Sequence, residues 1–236
     1  MIKQIKHWLL LIFLIVVLSL FFYFHLYRYL SFENLKAHRE ILLNWSQQHF
    51  VLVILGFISI YTLVVACSIP GATFLTLTGG FLFGPLLGTV LVIVSATLGA
   101  LIVFMAVELA LRDWVEKKAS HWLKAMEQGF QKNAFSYLLF LRLVPLFPFW
   151  LVNIVPALLG VSKRTFLLAT LIGIIPGSFV YVLVGNGLGH IFDANQMPNL
   201  GIIFDPKILF PLLALAVLSL VPIGYNYFKR KQQGSK

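Results

Sequence analysis

The chain has 236 residues, 60% hydrophobic and 11% charged, with a net charge of +10 and a mean hydropathy of +0.92. No soluble core needs that much apolar surface. The apolar runs are continuous rather than alternating, so composition excludes a soluble domain and an outer-membrane barrel and leaves an all-α integral membrane protein.

The N-terminal stretch imitates a signal peptide, with Lys3 and Lys6 before an apolar core. That core is long enough to span and no small-residue cleavage site follows, so 8–29 is expected to be a retained membrane helix. Residues 31–49 are polar with an apolar stripe of Leu35, Leu42 and Trp45, which suits a membrane interface. The run 50–69 is apolar and ends at Pro70-Gly71. The next run, 72–83, is too short to cross and ends at Gly84-Pro85, and 86–111 is a full-length span. Residues 112–132 are basic and amphipathic: Val115, Ala119, Trp122 and Met126 recur at helical spacing opposite Lys117, Lys118 and Lys124. A helix on the cytoplasmic surface is expected there.

Two short apolar pieces, 134–146 and 148–159, meet at a proline corner. Gly160, Lys163-Arg164 and a full span over 165–184 follow. A loop at 185–206, a last span at 208–228 and a basic tail complete the chain. It divides into 1–49, a core at 50–190, and 191–236.

The order of pieces repeats. In 50–111 and again in 134–184, a short arm reaches a proline, a second arm reaches a glycine, and a long helix follows. Paired interrupted segments in two halves are the best sequence pointer to a transporter's binding site. If each arm pair is a re-entrant hairpin, four helices cross and the hairpins enter from opposite faces, a pseudo-inverted repeat. The N-terminus, 112–132, Lys163-Arg164 and the tail then lie inside with thirteen of the eighteen basic residues, as the positive-inside rule demands. This placement accounts for the charge without nucleic acid.

Arg142 carries the strongest functional signal. An arginine at membrane depth costs roughly 3 kcal/mol on insertion scales, and Pro145 and Pro148 follow it. Each proline removes a donor and breaks the helix, and broken backbone survives in hydrocarbon only against protein or a wet cavity. The guanidinium offers a planar donor fork suited to phosphate or carboxylate, or else forms a structural ion pair. Asn153 is able to cap freed carbonyls or touch a ligand. Glu108 is either interfacial, a partner for Arg142, or a proton relay.

The glycines Gly79, Gly80, Gly84 and Gly88 surround the first corner, where Pro85 favours bending and close approach over a dimer motif. Ser68, Ser95 and Ser178 are expected to bond within their helices. Cys67 is the only cysteine and the six histidines make no ligand spacing, so no disulfide, metal or cofactor is expected. No nucleophile–base constellation is visible, so no enzyme is expected either. The string Gly185-Asn186-Gly187-Leu188-Gly189 follows a membrane span and carries no nucleotide-loop meaning.

Residues 79–89, the run Arg142-Leu143-Val144-Pro145-Leu146-Phe147-Pro148, Asn153, Gly160 and the run Gly173-Ile174-Ile175-Pro176-Gly177 resemble the DedA superfamily. Within it, the closest likeness is to the branch known as VTT-domain or SNARE-associated Golgi proteins. The resemblance covers roughly 54–189 and implies two opposed re-entrant hairpins and movement of lipids such as phospholipids or polyprenyl phosphate. It also implies a bacterial inner membrane with both termini cytoplasmic. The branch commonly carries Phe-x-x-x-Arg where this chain has Phe104 and Glu108, which favours pairing of Glu108 with Arg142 or Arg112. The expected partners are membrane lipids with anionic headgroups, and self-association is left open. Flipping or scrambling of a phosphate-bearing lipid is the expected function. A small-ion or solute carrier, proton-coupled through Glu108, and a non-transporting scaffold are the alternatives.

Overall fold

The computed structural model describes the backbone of residues 2–118 and 130–233 and the side chains of 9–112 and 130–224. Among the described residues all regular structure is helical. The main helices are α1 (Ile2–Tyr23), α2 (Phe32–Ala37), α3 (Arg39–Gln48), α4 (Phe50–Ala66) and α5 (Ala72–Lys118). They continue with α6 (Ala134–Leu143), α7 (Phe149–Leu158), α8 (Lys163–Gly173), α9 (Ile175–Asn186), α10 (Leu188–Asp193) and α11 (Pro206–Gln233). Two stretches are long and apolar enough to cross a membrane, Ala72–Arg112 and Pro206–Gly224. The number rises to four if the bent pairs α3–α4, at 116°, and α8–α9, at 41°, each make one crossing.

The first long stretch folds back on itself. Gly84 has φ 75°, outside the helical region, with Pro85 next. A Cβ on Gly88 would lie 2.7 Å from the carbonyl oxygen of Gly79. Nine residues of straight helix would separate these two by about 13 Å, so 72–83 and 85–118 are two arms. Segment 72–83 also runs antiparallel to α4, with Tyr61 bonded to Thr76 and Phe50 and Phe57 both against Phe83. The corner between them begins with a Schellman end on α4: Ser68 and Ile69 donate to Val65 and Val64, and Ser68 takes φ 53°. Helix α4 and segment 72–83 therefore form one helical hairpin, with Pro70 exposed at its corner.

A second hairpin follows. Helices α6 and α7 lie antiparallel, with Gln131 donating to the Leu159 carbonyl at one end and Arg142 to Asn153 at the other. Pro145 and Pro148 hold 144–148 out of helix, since a residue before proline avoids the α region and Val144 is extended. The far end of α7 closes on a Schellman motif at Gly160, φ 66°. Ser162 then caps α8 by accepting from the Thr165 N–H. The bend between α8 and α9 falls at Gly173–Pro176, where Pro176 lacks the donor the preceding turn requires.

The helix that follows each hairpin packs on the other hairpin. Helix α9 runs along 72–83: a Cβ on Gly80 would lie 2.1 Å from the Val182 oxygen, and one on Gly185 2.1 Å from the Leu77 oxygen. Helix α5 packs in turn on α7 of the second hairpin, and the Phe104 and Phe166 rings meet at a tilt, centres 4.4 Å apart, between α5 and α8. Gly84 meets Asn186 at the end of α9, whereas Gly160 lies under Arg112 near the start of α8. The hairpin bases thus sit at opposite ends of the molecule and their corners face each other in the middle.

The expected loop at 185–206 is more ordered than composition suggested. It holds α10 and a 3-10 turn, and its Asp193 and Asn195 bind Arg39 and Lys36. Part of the expected surface helix at 112–132, residues 119–129, lies outside the described residues.

Candidate functional site

Arg142 sits in the last turn of α6, and its side chain reaches across the second hairpin. Its Nη2 donates to Asn153 Oδ1 on α7 at 2.6 Å and to Thr170 Oγ1 on α8 at 3.0 Å. Both partners are 0% exposed. The guanidinium carbon lies 4.5 Å from the centre of the Phe149 ring and 5.5 Å from that of Phe166, within cation–π range. Gly173 makes the space: a Cβ there would come within 2.6 Å of the Arg142 Cβ.

These contacts orient the charge without neutralising it. Arg142 Nε and Nη1 and Asn153 Nδ2 are buried with no hydrogen-bond partner, and no carboxylate among the described residues pairs with Arg142. A buried cation left so is costly. It faces a cavity of about 210 Å³ between the hairpin corners, lined by Tyr61 and Thr76 of the first hairpin, Arg142 and Phe149 of the second, and Ile174 and Ser178 at the α8–α9 bend. Thr76 donates to the Ala72 carbonyl, so the Tyr61 hydroxyl donates to Thr76. With those two hydroxyl protons committed, the described walls offer an oxyanion the guanidinium and the hydroxyls of Thr73 and Ser178, and no carboxylate opposes it.

Glu108 does not join this site. Its carboxylate, 18% exposed, lies 3.2 Å from Lys163 and 3.9 Å from Arg112. Of the two expected partners Glu108 meets Arg112 and not Arg142, because it stands three turns beyond Ala96, where the second arm of α5 reaches the cavity wall. Twelve helical residues put it about 18 Å away.

Of the other residues singled out by sequence, Arg142 and Asn153 come together, and Gly173 and Gly177 flank the cavity. Pro145 and Pro148 form the second corner, Pro70 and Gly71 the first. Gly79, Gly80, Gly84 and Pro85 shape the first hairpin's base and packing, and Gly160 the second's. Thr170, Tyr61, Thr76 and Phe149 were not legible as site residues, since each looks like an ordinary apolar-span residue. The one available signal was Thr170, a turn before Gly173. Ser95 bonds within its helix as expected, whereas Ser178 lines the cavity and Ser68 caps α4.

Two to four helices able to cross a membrane, with two facing helical hairpins around an uncompensated charge, define an all-helical membrane protein. Residues 69–187 match the VTT domain. The chain is 34% identical over 195 residues to the Transmembrane protein 41 homolog of Dictyostelium discoideum, covering 81% of this chain and 57% of that protein. It is 30% identical over 194 residues to human Transmembrane protein 41B, 80% of this chain and 64% of the relative. The Caenorhabditis elegans Transmembrane protein 41 homolog is 29% identical over 196 residues, 82% and 77% respectively. The chain therefore spans little more than half of the Dictyostelium relative and under two thirds of the human one. No solved structure matches it. The chain belongs to the VTT-domain family, within the DedA superfamily.

Proposed function

We propose that this protein moves a phosphate-bearing lipid between the leaflets of a bilayer, as a flippase or scramblase without cofactor or covalent chemistry. The observation that carries the reading is the Arg142 guanidinium, held by Asn153 and Thr170, short of a counter-charge and facing a cavity. An anionic headgroup supplies the missing charge as it passes, which lowers the barrier to its crossing. The hold has to be modest, because a tightly bound headgroup could not leave. The cavity is smaller than the roughly 300–1,000 Å³ of drug-sized sites, so it suits a headgroup and not a whole lipid. In this reading the hairpins are re-entrant from opposite faces, and the membrane is the cytoplasmic one. The end bearing Arg112, Lys163 and the C-terminal half of α11 faces the cytoplasm, following the positive-inside rule. Relatives called transmembrane proteins over four fifths of the chain support a membrane role.

The test is lipid translocation in reconstituted vesicles. Arg142→Ala should abolish nearly all movement of a fluorescent phosphate lipid, and Arg142→Lys most of it, because an ammonium keeps the charge but loses the Nε and Nη1 donors that stay unpartnered while Nη2 holds Asn153 and Thr170. Folded Arg142→Ala protein that moves lipid at the wild-type rate would overturn the assignment.

A further inference from the structure

We propose that the gap between the two hairpin corners is the doorway through which the lipid's hydrocarbon chains travel while its phosphate stays at Arg142, an inference that rests on the transport reading above. A second cavity, of about 510 Å³, occupies this gap. Its walls are Ser68, Ile69 and Pro70 from the first corner and Phe149 and Trp150 from the second. Val65, Ala72, Thr73 and Phe149 line both this cavity and the one at Arg142, so the two spaces share a wall.

The chemistry changes across that wall. The inner space has the guanidinium and, beside it, the Ser178 hydroxyl. The outer one has no charged side chain: Ile69, Pro70, Phe149 and Trp150 share its walls with the hydroxyl residues Ser68 and Thr73, and Trp150 is 50% exposed to the surroundings. A step from a charged to an uncharged space across one shared wall, with Trp150 open to the surroundings, fits an amphiphile with its head inside and its tails outside. A tail-free anion would use the inner space alone. Phe149 is the partition: its ring covers the guanidinium and also lines the outer cavity.

The experiment separates head from tail. Ala72→Leu and Thr73→Leu place added bulk on the shared wall, and Thr73 is already exposed, so its variant tolerates the larger side chain. Movement of fluorescent phosphatidic acid is measured in phosphatidylcholine vesicles, and thermal stabilisation by inorganic phosphate in detergent. Both variants should move the lipid roughly tenfold more slowly or worse, while phosphate stabilises them as it does the wild type. Wild-type movement in both folded variants would overturn the doorway. So would loss of phosphate stabilisation along with movement, which would assign the shared wall to the headgroup space alone. Absence of any phosphate effect on the wild type would overturn the division of head from tail. A wild-type protein that moves no lipid would fail the transport reading first, and the doorway with it.

Discussion

Arg142 shows how little of a charged membrane residue's role is set by its charge alone. Its cost at membrane depth singles it out in the sequence, but its orientation comes from Asn153 and Thr170, which lie 11 and 28 residues downstream. The neighbour that fixes its position is a glycine. Gly173→Ala places a methyl group 2.6 Å from the Arg142 Cβ, and relief of such overpacking typically costs 1–3 kcal/mol. The guanidinium should swing off Asn153, with lipid movement falling and the melting temperature dropping by a few degrees. An unchanged rate and melting curve would mean that Gly173 does not set the arginine's position. Glu108 gives the opposite lesson: a carboxylate four residues from Arg112 and beside the start of α8 already has its cations.

At the scale of helices, the breaks were legible and their partners were not. Pro70-Gly71, Gly84-Pro85 and Pro145–Pro148 each mark a reversal, because proline and positive-φ glycine act locally and are visible in the chain itself. Gly173, Pro176 and Gly177 stood out too, yet the 41° bend they make lies inside what composition reads as one continuous span. Close packing between helices was visible only in part. Gly79, Gly80 and Gly88 stand out by their clustering, yet Gly185 and Gly99 carry equally tight contacts, against Leu77 and Thr62. Nothing in a sequence says which distant backbone a glycine will meet. Gly185→Ala should therefore be among the more disruptive substitutions, since its Cβ would lie 2.1 Å from a backbone oxygen that has no flexible side chain to yield. We expect a loss of more than about 3 kcal/mol, seen as poor recovery of folded protein in detergent. A well-behaved Gly185→Ala protein would show that α9 can shift away from the first hairpin.

For the whole molecule, the two hairpin bases lie at opposite ends, so one end carries Arg112 and Lys163 and the other Asp193 and Asn195. In a Cys67→Ala background, cysteines at positions 163 and 195 should react with impermeant reagents from opposite sides of a sealed vesicle. Labelling of both from one side would break the opposed arrangement. The exchange of packing partners between the halves has a further consequence, for the order of assembly. Segment 72–83 is made early, but the backbone it lies against, 182–186, emerges roughly a hundred residues later. Until then the first hairpin has an open flank that nothing else in the nascent chain covers in the same way. Synthesis that stops short of residue 186 leaves that flank bare, so the early half becomes a finished structure only once α9 has left the ribosome.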